Sequence, residues 1–555
     1  MEVQIIQICK VFCIFIFICF SFSTLLSNEP KLIKNKISES GVYLSWIIAE
    51  KNGNFRKAFD LVSKIKLSLT DIESLKKAFF LSLNHGNWDS TVFFARRIET
   101  LDSKFFFSKL VLATDEYIKG DFKKSEQIFK NINFSITNEK FINIILAWVN
   151  FSFKKDPYIL DTINEKEIKP ENCVPLECLH SALLNQLSGN KERSNQFYEE
   201  LKKNNQSYRI LEILLVNYLE NKKIDSSKEI LEKLKNENLS VSNLNDLIYI
   251  KDEFSPVEYP KDGLAEVFLN IAGWLYENKI YDMSSYFCNI GLQIRPDFYS
   301  LKFLLANVYE KLGYKETLLD FLNETFQSNI YDLHLSKIKL RTLNSLKKKD
   351  KSIQVLREIL KKNPNNNEII LILADSLRSV GKYKESITYY DNVIEKINKE
   401  DPQYWNIFYS RGISYERIKK WNLAERDFLL SLKLNPQAPY VLNYLGYSWL
   451  ERKKNLKKAL ALIKTASEIQ PNDAYITDSL GWAYFLLGEF DISIKILEHA
   501  NMMLPSDPTL NDHLGDAYWE VGRKSEAISQ WKKVLVFDPN TELKMKVEQK
   551  ISRFQ

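Results

Sequence analysis

The sequence predicts an all-α chain, a right-handed α-solenoid of stacked helix–turn–helix hairpins in two superhelical segments. Three observations predict it. Gly412, Gly446, Gly481 and Gly515 recur at spacings of 34, 35 and 34. Pro436, Pro471, Pro505 and Pro539 recur at 35, 34 and 34, in step with the glycines, so the unit is one fixed block. Inside the last block Ala527, Trp531 and Val534 stand at i, i+4 and i+7, which is one stripe of a helix. A chain of 555 residues is too long for one core, and an array divides that length without needing one. Only 16 Gly and 15 Pro are present, too few for an all-β chain with many tight turns.

Taken in order, the first element is an address. "KVFCIFIFICFSFSTLLSNEP" begins at Lys10, runs apolar from Val11 to Phe22 and ends in small residues. Residues 1–27 resemble a secretory signal sequence, with Ser21 and Ser23 framing a cleavage site and Ser27 a second one. An uncleaved anchor is the alternative, because the apolar stretch to Leu26 nearly spans a bilayer. Lys31, Lys34 and Lys36 follow it and favour a cytoplasmic flank. The expected location is therefore exported, periplasmic or tethered in the cell envelope, with the cytoplasmic side of the membrane as the alternative. Cys19 is preceded by Phe17 and Ile18, which make no lipobox, so no lipid anchor is expected.

Residues 39–242 repeat faintly. Gly53, Gly86 and Gly120 are spaced by 33 and 34, each opening a variant of one phrase: "GNFRKAF", "GNWDSTV", "GDFKKSE". Gly189 in "SGNKERSNQFY" opens another. Residues 243–263 break the period, and Pro256, Pro260 and Gly263 make them an irregular joint. Residues 264–541 form the clearer array, with its best repeats at 405–438, 439–473, 474–507 and 508–541. The one-residue excess falls in "RKKNLKKAL" (452–460), where a turn has grown. Arg411 stands where the other blocks carry Leu, so it either pairs with an acid in the interior, the favoured reading, or its helix is rotated. In 542–555, Leu543, Val547, Ile551 and Phe554 share a stripe, as a helix capping the last hairpin requires.

Leu514, Gly515 and Tyr518, followed by Ala527, Trp531 and Pro539, resemble the tetratricopeptide repeat (TPR) family. "NYLGYSWL", "DSLGWAYF" and "NDHLGDAYW" are similar to phrases of bacterial cell-envelope TPR scaffolds and adaptors. That resemblance implies a non-catalytic protein–protein interaction scaffold with a concave groove for peptide segments or partner proteins. A processing protease or cell-wall enzymes are the partners it suggests. A cytoplasm-facing, membrane-anchored chaperone-like adaptor and an accessory subunit of an enzyme complex are the competing readings.

Other chemistry finds little support. The net charge of +6 comes from 77 basic against 71 acidic residues, too even for a nucleic-acid footprint. His85, His180, His334, His499 and His513 form no tight ligand spacing, and there is no GxxxxGK[ST], GxGxxG or GxSxG. No catalytic residue, metal or cofactor is expected. Beyond the leader, Cys173, Cys178 and Cys288 make neither a zinc site nor a disulfide framework. A Cys173–Cys178 bridge is the lesser alternative, and Cys288 falls on a packing position.

The candidate partner-binding residues lie one step out of phase with the packing residues, since one residue turns a helix by about 100°. They are Tyr440, Asn443 and Tyr447, then Tyr475, Asp478, Trp482 and Phe485, then Asp512, Asp516 and Trp519. In proteins resembling this one, that face lines the groove. Short amides and carboxylates can hydrogen-bond a ligand backbone while aromatics supply contact area. The alternative is that the tryptophans fill gaps between hairpins and the acids are solvated. A face of acids and aromatics suits a neutral or basic segment rather than an acidic C-terminus.

Overall fold

A computed structural model describes residues 38–66, 69–132, 139–203, 207–235, 254, 257–325, 332–362, 364–537 and 539–553. The expected leader at 1–27, most of the expected joint at 243–263 and Phe554 of the expected capping stripe lie outside these. The described residues are all-α, with no strand among them.

The helices are α1 (Glu39–Lys51), α2 (Phe55–Ile65), α3 (Ile72–Asn84), α4 (Trp88–Leu101), α5 (Phe106–Ile118), α6 (Phe122–Lys130), α7 (Glu139–Lys154), α8 (Ile159–Ile163), α9 (Pro175–Leu187) and α10 (Lys191–Lys203). There follow α11 (Tyr208–Glu220), α12 (Ile224–Lys235), α13 (Pro260–Glu277), α14 (Tyr281–Ile294), α15 (Tyr299–Leu312), α16 (Lys315–Thr325), α17 (Asp332–Ser345), α18 (Lys349–Lys362), α19 (Asn367–Ser379) and α20 (Tyr383–Ile394). The last are α21 (Trp405–Arg417), α22 (Trp421–Leu434), α23 (Pro439–Glu451), α24 (Leu456–Ile469), α25 (Ala474–Leu486), α26 (Phe490–Met503), α27 (Pro508–Glu520), α28 (Lys524–Val536) and α29 (Thr541–Ser552).

One backbone event punctuates them all. The first helix of each hairpin ends on a residue with positive φ, at 53, 86, 120, 155, 189 and 222, then 279, 313, 347 and 381, then 419, 453, 488 and 522. This left-handed residue lets the next amide turn back to an orphan carbonyl, as Arg523 N–H does to Tyr518 O at 2.9 Å. Glycine holds eight of these positions and lysine the other six. The lysines at 155, 222, 279, 347, 419 and 453 kept their hairpins out of a glycine count. The grown turn in 452–460 carries two left-handed residues, Lys453 and Asn455.

In the last four hairpins, the position seven residues before that turn needs a residue without a side chain. A Cβ added at Gly412, Gly446, Gly481 or Gly515 would stand 2.6, 2.7, 2.6 or 2.5 Å from Phe428, Ile463, Leu497 or Trp531 of the second helix. The recurring glycine therefore marks where a large side chain of one helix seats on the bare backbone of the other. Each seated residue is almost fully buried.

The chain divides into two compact units, residues 1–335 and 336–555. In the first, residues 260–335, which the sequence groups with the later array, pack back on the earlier hairpins. α13 lies against α7 and α9, and α14 against α3 and α5. Ser285 Oγ donates to Asn84 Oδ1 at 3.0 Å and Tyr309 Oη to Asn84 O at 3.0 Å. Phe55 N–H donates to Thr317 Oγ1, which itself donates to Gly53 O at 2.7 Å. The reason is visible in the hairpin of α7. Its second helix, α8, is only five residues long, and Trp148 stands where most hairpins carry Gly or Ala. The bare Cα of Gly263 in α13 receives that indole instead.

In the second unit, Arg411 is the paired buried arginine the sequence asks for. Its guanidinium donates to both oxygens of Asp427 (2.7 and 2.8 Å) and to Asp391 Oδ1 (2.7 Å). At the end of the array Val547 and Ile551 of α29 are buried with Tyr518, Trp531 and Val534. Cys173 and Cys178 are bridged, with Cα atoms 5.4 Å apart, which departs from the expected pair of thiols. The short Pro170–Asn172 turn leads Cys173 back over the first turn of α9, where Cys178 sits. Cys288 is a buried free thiol.

Candidate partner-binding surfaces

The residues singled out in the second unit do not form one open row. Tyr440 and Tyr475 are exposed, at 52% and 56%. Asn443, Tyr447, Phe485, Asp516 and Trp519 are half-buried. Asp478, Trp482 and Asp512 are buried, at 4%, 9% and 1%, which corrects their expected place on an open groove wall.

The physical cause is the register between successive first helices. Asp478 of α25 accepts from His513 Nδ1 of α27 at 2.9 and 3.1 Å. Asp512 of α27 accepts from Lys546 (3.0 Å) and Lys550 (2.6 Å) of α29. Lys550 also pairs with Asp516, to which Trp531 Nε1 donates at 3.1 Å. Trp482 is stacked, with Phe485 at 4.6 Å and His513 at 4.1 Å between ring centroids. The acids thus neutralise the next hairpin instead of facing solvent. Burial alone would lower the His513 pKa, but Asp478, with Asp512 and Asp516 behind it, raises it above the ordinary value. Despite burial, Lys550 and Lys546 hold Asp512 below the usual carboxylate range. What stays accessible is Tyr440, Tyr475 and the half-buried Tyr447. Asn443 Oδ1 and Trp482 Nε1 have no hydrogen-bond partner among the described residues.

The first unit holds a hollow of about 590 Å³ that the sequence reading missed. It opens between the start of α11, the second half of α13, α15 and the start of α17. Its back wall is a buried charge cluster. Arg209, 7% exposed, donates to both oxygens of Glu266 (3.0 and 3.1 Å), to Glu212 (2.8 Å) and to Ser300 (3.2 Å). Its guanidinium lies over the Phe298 ring at 4.9 Å. A buried ion cluster is tolerable only when its hydrogen bonds are satisfied, and one so satisfied holds its helices in one arrangement. The side walls are Tyr208, Trp274 and Phe303, with Gly273 leaving the floor open: a Cβ there would meet nothing within 4 Å. Asn270 and Asn307 complete the lining, and His334 Nε2 sits 3.4 Å from Asn307 Oδ1.

These residues obey the rule applied to the last repeats. Phe303 and Asn307 stand one step out of phase with Ala306, as Leu269 and Gly273 do with Ala272. The signal was present, but the repeats around it are less regular. Among the described residues no group of three or more His, Cys, Asp or Glu could hold a metal, and no helix is long and apolar enough to cross a membrane.

No family model matches the chain. It is 28% identical over 102 residues to a TPR repeat-containing protein, PA4667, of Pseudomonas aeruginosa, covering 18% of this chain and 17% of that one. It is 32% identical over 128 residues to the BBSome complex member BBS4 of Bos taurus, covering 23% of each. The chain thus spans about a fifth of the length of these curated relatives. Among solved structures, a tetratricopeptide repeat protein from Parabacteroides merdae aligns over 44% of this chain and 94% of its own, at 15% identity and TM-score 0.38. The APC/C assembly Cut9–Hcn1 aligns over 88% of this chain and 97% of its own, at 16% identity and TM-score 0.36. The chain is an all-α helical-repeat protein that is similar, over part of its length, to tetratricopeptide repeat proteins.

Proposed function

We propose that this protein is a non-catalytic interaction scaffold that receives an extended segment of a partner protein in the hollow of its first unit. The hollow carries the reading. It is large enough for several side chains, walled by aromatics that offer contact area at low entropy cost, and backed by a cluster that does not need to move on binding. The surface around Tyr440 and Tyr475 is a second contact region, favoured by the unpartnered Asn443 Oδ1 beside it. Export fits the Cys173–Cys178 bridge, because such bonds persist in oxidising compartments. With the leader at 1–27, this favours the cell envelope over the cytoplasmic side.

The test places a photo-crosslinking amino acid at Trp274 and, as a control, at Met502, which is 78% exposed on α26. In cells, discrete adducts form from position 274 and not from 502. Equal or absent adducts at both positions overturn the reading.

A further inference from the structure

Resting on that reading, we propose that the hollow selects its segment through a cationic side chain, a lysine ammonium or an arginine guanidinium. The lining is rich in acceptors and poor in accessible positive charge. Asn270 spends its Nδ2 on Glu266 O at 2.6 Å and Asn307 spends its own on Phe303 O at 2.8 Å. With its amide nitrogen engaged along the helix, Asn270 turns its carboxamide oxygen to a ligand, while Asn307 Oδ1 already meets His334 Nε2 at 3.4 Å. Arg209 is the one Lys or Arg in the lining, and its guanidinium is committed to Glu266, Glu212 and Ser300.

The rim adds negative charge. Glu277 is exposed at the end of α13 and is in no ion pair among the described residues. Tyr276 lies beside it in the lining, and burial chiefly raises its pKa, which keeps its hydroxyl neutral. Trp274, 43% exposed, lines the hollow next to these acceptors, and Phe303 lies there with its ring against His334 at 4.9 Å between centroids. Aromatic faces beside carboxylate and amide oxygens are what a cation exchanges its water for: the ring attracts the charge and the oxygens take its N–H groups. An acidic side chain would meet Glu277. A neutral amide could pair with the acceptors but would bring no charge to Glu277 or the rings.

The experiment uses residues 28–555 and three labelled, acetylated and amidated pentapeptides, Gly-Leu-X-Leu-Gly, with Arg, Gln or Glu at X, read by fluorescence anisotropy at low salt. The Arg peptide binds at least about tenfold more tightly than the Gln peptide, and the Glu peptide binds more weakly than either. Glu277→Gln reduces the Arg-over-Gln preference, and Trp274→Ala weakens all binding, with circular dichroism confirming that both variants fold. Equal binding of the Arg and Gln peptides overturns the cation selection while leaving the hollow as a binding site. Binding of the three peptides that Trp274→Ala leaves unchanged, or no binding by any, overturns the hollow itself.

Discussion

Gly263→Ala is a severe test of how the first unit closes on itself. A Cβ at Gly263 would stand less than 3.0 Å from three atoms of the Trp148 indole. Ordinary carbon contacts are about 3.5–4.0 Å, so the ring would have to withdraw by at least about 0.5 Å. It has nowhere to go. Trp148 is fully buried, and its Nε1–H donates to Nδ1 of His180, also fully buried, at 2.9 Å. Overpacking of this kind costs about 1–3 kcal/mol. Pulling the indole off His180 leaves two buried groups unpaired and costs about 1–3 kcal/mol more. Alanine returns about 1 kcal/mol of helix propensity. The net expectation is a loss of about 1–5 kcal/mol.

Gly273→Ala, in the same helix, meets nothing within 4 Å and should stabilise by about 0.5–1 kcal/mol. The assay is urea unfolding of residues 28–555 followed by circular dichroism and tryptophan fluorescence. The first transition to move reports the first unit, since repeat arrays need not unfold as one. The two substitutions should shift that transition in opposite directions. If Gly263→Ala is neutral or stabilising, α13 does not rest on Trp148 and the packing described for residues 260–335 is wrong.

Arg411→Leu should destabilise the second unit by about 3–5 kcal/mol, because it strands the buried Asp427 without its partner. Adding Asp427→Leu should recover most of that loss in thermal melts. His513 has a folded-state pKa raised above 6.5, so its contribution is complete below the unfolded value and is lost as pH rises through the folded one. Melting temperature should therefore fall on the alkaline side of 6.5, and Asp478→Asn should flatten that fall. In native protein neither Cys173 nor Cys178 should react with a maleimide until a reductant is added, after which two labels appear by mass. Immediate labelling of both would remove the support for an oxidising compartment. Lys419→Gly should stabilise by about 0.5–1 kcal/mol, since glycine holds a left-handed φ without the strain lysine accepts at +63°.

The hairpins were legible in the sequence because their contacts are local. Gly412 meets Phe428 and Gly515 meets Trp531, each pair sixteen residues apart in one hairpin, so both ends of the contact recur with the period. The partner demanded by Arg411 was legible for a related reason: a guanidinium cannot be buried alone, and Asp427 lies on the facing helix. The faint hairpins that turn at Lys155 and Lys222 were hidden because a left-handed lysine looks like any other lysine.

Tertiary structure decided which out-of-phase residues stay open to solvent. Asp478 shares a helix with Tyr475 and Asp512 holds the equivalent place on α27, yet they are consumed by His513 of the next hairpin and Lys550 of the terminal α29. Tyr475, at the entrance, stays exposed. Helix periodicity assigns a direction around each axis and does not say how closely the next axis approaches. That depends on the small rotation between hairpins, which accumulates along an array. The five-residue α8 and the Trp148 indole seated on Gly263 bring α13 back onto α7 and α9, and α14 packs on α3 and α5. The sequence by itself determined the repeating unit, because the unit is held by contacts inside it. The hollow belongs to tertiary structure, because it is made of residues from four successive hairpins whose mutual approach no single unit fixes.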